Sequence, residues 1–339
     1  MKIALDAMGG DKAPLETVKG AVQAAQTYGV EITLVGPAAT IERELKKYGA
    51  HPRGISIVPA GEAIDMEEDE IVKAVRSRRD ASINVAHHLV RDGEADAVVS
   101  AGNTGAVMAS AITVLGRIRG IERPAVATLL PYNEGRVLLL DIGANPECKP
   151  SYLVQFAQMG SVYMEKVVGV RNPRVALLNI GEEAVKGNDL TKEAYERLSD
   201  ANVNFTGNIE GVEIHKGKAE VVVTDGFTGN IALKVGEGLA DYILEQVRAV
   251  IKSSPLFIAA SLLMRPALRR ALKRLQYEEY GGAYLLGVNG VVVIAHGRAD
   301  ASAITNAVRV AKIAAESGLI ETLRESLARH HATAEAAAT

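Results

Sequence analysis

Three side chains stand where they could act on an anion: Lys186 in the turn KGN, Asn230 closing TDGFTGN, and His296 in AHG. A lysine in a glycine-bearing turn can orient phosphate and offset the charge of a developing oxyanion, although a lone loop lysine is more often simply solvated. An asparagine amide at the start of a helix can hydrogen-bond the same oxygens, or serve as a helix cap. Histidine can act as acid, base or phosphate ligand, and is about as often a satisfied structural residue. Glycine turns that could converge backbone N–H groups on phosphate complete the set: Gly9 and Gly10, Gly102 and Gly105, Gly226 and Gly229. Asn103, Thr104, Asp225 and Thr228 are their polar neighbours and join them as phosphate- or substrate-binding candidates. Taken singly, each short glycine motif is equally well explained by a tight turn.

The elements that must position these residues occur twice. Residues 95–108, ADAVVSAGNTGAVM, and 219–232, AEVVVTDGFTGNIA, align without a gap, sharing Ala, Val, Val, Gly, Thr and Gly. An apolar run without alternation reads as a strand covered on both faces, and the glycine turn at its carboxyl end is where ligands of open α/β sheets bind. Two copies imply a duplication, with two related halves presenting similar loops to one cleft. Strand 2–6, the loop AMGGDKAP and a helix from Pro14 to about Gly29 form a third unit of this type. Further strands are expected at 31–36, 56–59, 174–180, 203–206 and 291–297, and the acidic stretch 61–80 as a solvated helical excursion. AVATLL and VLLLDIGAN, around the hairpin-like PYNEGR, break the βαβ rhythm, so the expected sheet is mixed and mostly parallel. One α/β domain over 1–328 is predicted, followed by a frayed tail, 329–339.

Composition narrows the function. A net charge of −3, no Trp and only 4 Phe offer nucleic acid neither attraction nor stacking platforms. Cys148 is the only cysteine, which excludes an intramolecular disulfide and fits a reducing cytoplasm, and it is read as a structural thiol rather than a nucleophile. Asp6, Asp11, Asp141 and Asp225 end strands or lie beside them but lack metal-ligand spacing, and the neighbouring His87 and His88 diverge on a helix; no metal or cofactor is assigned. MKIALDAMGG has no mark of a signal peptide, and no apolar run reaches the roughly 18 residues of a membrane span.

One segment departs from the rest. Between Gln246 and Tyr277 there is no acidic residue but seven cations, so 246–280 reads as an amphipathic basic helical insertion, two helices broken at Pro266. Leu256, Phe257, Leu262, Leu263 and Leu268, with Arg265, Arg269 and Lys273, suit an anionic membrane interface or an acidic protein partner. A helical hairpin at a dimer interface accounts for the same pattern.

In order and spacing, IALDAMGGDKAP, SAGNTGA, GRIRGIERPA, LLLDIGAN, LLNIGEE with KGN, FTGNIEG, VVTDGFTGN, YGGAYLLG and AHG resemble the bacterial phosphate acyltransferases of the PlsX type, from Met1 to about Ser317. The resemblance implies a three-layer α/β/α fold like that of phosphotransacetylase and isocitrate dehydrogenase. It implies transfer of a fatty acyl group from acyl carrier protein to inorganic phosphate, with Lys186 and Asn230 as the catalytic positions and no cofactor. A homodimer, peripheral attachment to the membrane, and delivery of acyl phosphate to a membrane acyltransferase in phospholipid synthesis follow from the same likeness. The competing readings are a short-chain phosphotransacetylase using acyl-CoA and a non-catalytic membrane scaffold; a decarboxylating dehydrogenase lacks its dinucleotide fingerprint.

Overall fold

The computed structural model describes residues 1–49, 52–61, 63–132, 135–275 and 281–327, except the side chains of 266–275. In chain order the first half runs β1 (Lys2–Asp6), α1 (Leu15–Tyr28), β2 (Glu31–Gly36), α2 (Ala38–Leu45), β3 (Ile55–Pro59), α3 (Ile71–Ser77), α4 (Ser82–Arg91), β4 (Ala97–Ser100) and α5 (Thr104–Val114). The hairpin β5 (Ala125–Tyr132) and β6 (Gly135–Leu140) leads into α6 (Pro150–Tyr163), β7 (Arg174–Leu178), α7 (Asp189–Ser199), β8 (Asn204–Ile209) and β9 (Val221–Val223). Then come α8 (Gly226–Lys252), α9 (Pro255–Leu275), β10 (Ala283–Leu286), β11 (Val291–Ile294) and α10 (Ala301–Glu316).

The eleven strands among the described residues join one sheet, in the order β3-β2-β1-β4-β11-β10-β5-β6-β9-β7-β8. The first five are mutually parallel, as are the last four; β10 and β5 reverse direction between them, so β4 and β9 run antiparallel. Alternate residues of each strand feed opposite faces. Ile3, Leu5, Val99, Leu138, Leu140 and Val223 pack under α1, α2, α6, α7 and α10. Ala4, Val98, Leu139 and Val222 pack under α4, α5 and the first turns of α8. Both layers are apolar because both faces are covered, which is why the strands read as unbroken hydrophobic runs.

Four sequence expectations change. The strand β10 was not foreseen: its AYLL follows a glycine pair and has no β-branched residue, unlike the similarly short β4, β9 and β11. Helix α8 opens at Gly226, ahead of Asn230, which was expected at the helix start, because Asp225 caps it by accepting the Thr228 N–H at 2.8 Å. The acidic stretch 61–80 is helical only at Ile71–Ser77, since repeated carboxylates in DMEEDE repel one another across successive turns. Within the basic insertion α9 runs through Pro266, and the break lies instead at Ser253 and Ser254, where α8 and α9 meet at 120°. Pro255 cannot extend the α8 ladder but suits the first turn of a new helix, and Ser254 supports that turn by accepting the Leu256 N–H on Oγ at 3.2 Å. The tail from 328 onward, and the side chains of Leu268, Arg269 and Lys273, lie outside the described residues.

Candidate active site

Because β6, β9, β7 and β8 are parallel neighbours, the turns that follow them share one margin of the sheet. Asp141, just past β6, is the anchor. Its Oδ1 accepts N–H groups of Val126, Gly143 and Ala144 at 3.0, 3.3 and 3.0 Å; its Oδ2 accepts the Asn145 backbone N–H and side-chain amide at 2.7 and 2.8 Å. Burial pushes the Asp141 carboxyl pKa upward, opposed by these donors. The first turn of α8 lies directly on this loop. A Cβ at Gly226 would come within 2.8 Å of the Asn145 carbonyl oxygen, and one at Gly229 would overlap that of Asp141. Both glycines therefore serve close backbone approach. Asp225 is committed to capping, holding Thr228 through both its N–H and its hydroxyl. Asn230 is not a cap: it sits further along the helix, exposed, facing Gly143, with its amide unbonded among the described residues.

Lys186 rises from the next turn along, after β7. The loop folds on itself through the Lys186 N–H to the Glu183 carbonyl at 3.0 Å, and Gly187 takes φ +98°, where a side chain would strike Thr191 and Asn179. Neighbouring Glu182 is held by Lys218 at 2.6 Å, so it does not neutralise Lys186, whose side chain is exposed and unpaired among the described residues. An unpaired ammonium and an unpaired amide on segments that follow adjacent strands offer the donors that a phosphate or the oxyanion of a tetrahedral intermediate needs.

The first repeat copy forms a second cluster. Asp6, fully buried at the end of β1, accepts the Ser100 hydroxyl at 2.8 Å and the Met8 N–H at 3.2 Å; burial raises its pKa, with serine hydrogen bonds opposing. Gly9 is pressed against Gly102 and Ser100, and Gly10, at φ +106°, against the Gly297 carbonyl. Asn103 spends its amide locally: Oδ1 caps α5 at the Ala106 N–H, and Nδ2 donates to the Met66 carbonyl at 2.8 Å. Thr104 is exposed at the head of α5, and Gly105 faces Ile71. His296 lies in the turn after β11, where its Nδ1 accepts the Arg298 N–H at 3.1 Å. Over this cluster lies a cavity of about 790 Å³ lined by Asp65, Glu67, Glu68, Asp69 and Glu70, against a single cation, Arg78, itself paired with Glu68 at 3.0 Å.

The structure therefore gathers the candidates into two groups. Helices α5 and α8 pack on the same face of the sheet, but four strands separate β4 from β9, roughly 24 Å at the usual strand spacing, and because β4 and β9 run antiparallel their carboxyl-end turns lie at opposite margins. One phosphate cannot touch both loops.

Comparison with known proteins supplies the family. A profile described as "Fatty acid synthesis protein" matches residues 1–322. A phosphate acyltransferase of Heliobacterium modesticaldum is 52% identical over 328 residues, covering 96% of this chain and 98% of the relative. The chain belongs to the phosphate acyltransferase family. Solved structures agree on the fold: a Streptococcus pyogenes phosphotransacetylase superposes with a TM-score of 0.64 at 18% identity, covering 93% of this chain and 94% of that one. A 4-hydroxythreonine-4-phosphate dehydrogenase of Klebsiella pneumoniae does so with a TM-score of 0.56 at 14% identity, covering 93% and 97%. Transferases and a dehydrogenase thus share the architecture, and the chemistry must be read from the site.

Within this family member's site, sequence reading passed over Arg123. It precedes Pro124, whose carbonyl accepts the Asn145 amide at 2.8 Å, and it stands close enough to Cys148 to act on the thiol electrostatically. Its guanidinium is exposed and unpaired among the described residues, a second cation beside the α8 turn. The signal lay in GIERPA, quoted for resemblance but not for charge. Cys148 itself is pushed up to about 12, chiefly by burial and then by Asp141, so it stays a thiol at neutral pH.

Proposed function

We propose that the chain, an acyltransferase by family, moves a long-chain fatty acyl group from acyl carrier protein to inorganic phosphate, forming acyl phosphate for phospholipid synthesis. The observation that carries this reading is the pairing of Lys186 and Asn230 on neighbouring turns, both exposed and uncommitted. An oxygen of HPO₄²⁻ attacks the thioester carbonyl, the C–O bond forms, and the C–S bond breaks. The phosphate proton ends on the departing thiolate, so no separate strong base is needed. Lys186 orients the phosphate and offsets its charge; Asn230 hydrogen-bonds the phosphate or the tetrahedral oxyanion; N–H groups at the head of α8 add donors.

The helical arm suits the two ends of such a reaction. Leu256 and Leu263 on α9 are 72% and 87% exposed, while Arg248, Lys252 and Arg265 supply charge. No single helix among the described residues is long and apolar enough to cross a membrane. In this reading the arm rests on an anionic lipid surface at the cytoplasmic side, or on the carrier, and hands acyl phosphate to the membrane acyltransferase that consumes it. The exposed apolar residues Val235, Leu239 and Tyr242 along α8 are the surface for a homodimer.

The test is an assay of the purified protein with long-chain acyl carrier protein and phosphate, trapping acyl phosphate as its hydroxamate, with Lys186→Ala alongside. Phosphate-dependent product, lost in the variant, is expected. Product from acyl-CoA alone would establish the short-chain phosphotransacetylase reading instead, and liposome binding without any product the scaffold.

A further inference from the structure

The turn that carries Lys186 has little to hold it. Residues 182–186 are exposed, and Val185, the apolar residue beside the lysine, is 77% exposed, so packing does not fix the loop. Polar ties come instead from three directions. Asn179, at the end of β7, donates its Nδ2 to the Lys186 carbonyl at 3.1 Å. Asn208, on β8, donates its Nδ2 to the Glu183 carbonyl at 3.0 Å. Lys218 reaches Glu182 at 2.6 Å while also bonded to Glu213, in the turn Gly211–Lys216.

Asn208 is the informative member. It is 6% exposed, and its Oδ1 is buried with no hydrogen-bond partner among the described residues. An amide buried with half its hydrogen bonding unmet is destabilising where an apolar side chain of that size would suffice. The bond it does make goes to the same carbonyl that accepts the Lys186 N–H, closing the turn from outside. We propose that Asn208 is a positioning residue for Lys186, with Asn179 and Lys218 as its accessory ties, holding the ammonium at a fixed distance from Asn230. The inference rests on the proposed role of Lys186. Its logic is that an exposed loop costs conformational entropy to order, and that a charged group misplaced by about 1 Å loses much of its catalytic effect.

The experiment is a double-mutant cycle on phosphate-dependent hydroxamate formation, with kcat and KM for phosphate measured separately. Asn208→Leu should lower kcat/KM for phosphate about 10- to 100-fold, with circular dichroism unchanged. In the Lys186→Ala background the same substitution should change activity less than about two-fold, because there is no ammonium left to position. Lys218→Met, a surface change that spares the core, should cost about three- to ten-fold, and Lys218→Arg should restore activity to within about two-fold by keeping the ion pairs. Should Asn208→Leu fail to fold, the Lys218 pair of variants carries the test. Equal losses from Asn208→Leu with and without Lys186, or full activity of both Asn208→Leu and Lys218→Met, overturn the positioning role. Normal turnover by Lys186→Ala is a different failure: it removes the lysine from the mechanism whatever the loop variants do.

Discussion

The turn after β4 and the turn after β9 descend from one pattern and have become opposites. Both place two glycines three residues apart at a strand end, beside a buried aspartate at the end of a neighbouring strand, Asp6 in one and Asp141 in the other. The cap has moved, however. Asn103 starts α5 after the first glycine, whereas Asp225 starts α8 before it, so α8 begins two residues earlier in the repeat. The position of Asn230 therefore falls on an exposed helical face, while its counterpart Ala106 is buried. The surroundings differ more: carboxylates from 65–70 overhang the first turn, whereas Arg123 acts on Cys148 beside the second and Lys186 rises from the turn after the adjacent strand β7. On the function proposed above, an anion is repelled at one and attracted at the other. A shared backbone motif supplies donors, and neighbouring charge decides what they receive.

The sharpest test of that contrast is Lys186→Ala, expected to lower phosphate-dependent turnover by about 10² to 10³-fold, the usual loss for one oxyanion-stabilising donor, with the fold intact. Next in size is a pair of glycine substitutions. Gly229→Ala drives a methyl into the Asp141 backbone and should destabilise by about 3 kcal/mol; Gly102→Ala meets the Ser100 hydroxyl at 3.2 Å and the Asp6 carboxylate and Gly9 Cα at an ordinary 3.5 Å, and should cost under about 1 kcal/mol. Equal urea midpoints for the two variants would mean that the turns are packed alike.

A third difference is acid sensitivity, which resides under the first half. His87 on α4 donates from Nδ1 to Ser110 at 2.9 Å, and its buried Nε2 has no partner among the described residues. Burial, with a smaller push from His88, lowers its pKa to about 3. Since the unfolded chain takes up this proton below about pH 6.5 and the folded one does not, stability falls as pH drops. The loss from this one residue is about 2 kcal/mol at pH 5. Urea titrations at pH 7 and 5 should show that decrement in the parent and lack it in His87→Gln. The smallest expected effect tests the acidic overhang: Glu67→Gln with Glu70→Gln should shift the KM for phosphate by less than about two-fold. A several-fold fall in KM would place phosphate at the first turn after all, and the comparison would have to be reversed.

Much of this was legible in the chain itself. The two repeat copies were readable because a strand covered on both faces needs an uninterrupted apolar run and a tight turn needs glycine, both local demands. Lys186 and Asn230 stood out through their turns and through family likeness. The strand β10 escaped because AYLL, unlike the valine-rich β4, β9 and β11, has no β-branched residue, and the continuity of α9 through Pro266 because a proline's local preference can be outweighed by the turns on either side. Arg123 and Asn208 escaped for a different reason: both lie inside motifs that carry the family likeness, GRIRGIERPA and FTGNIEG, but each matters only through a neighbour distant in sequence.

The amino-acid sequence by itself determined the strands, the glycine turns, the duplication and the basic arm, all of which follow from residue type and spacing within a few turns of chain. Only the tertiary structure decided which loops would be neighbours. Four strands, β11, β10, β5 and β6, stand between the two repeat turns, parallel pairing of β7 with β9 makes the turn that carries Lys186 a neighbour of the turn that opens α8, and the acidic segment 65–70 settles over one turn alone. Those are consequences of strand order, and strand order is fixed by which apolar faces can be buried together across the whole sheet.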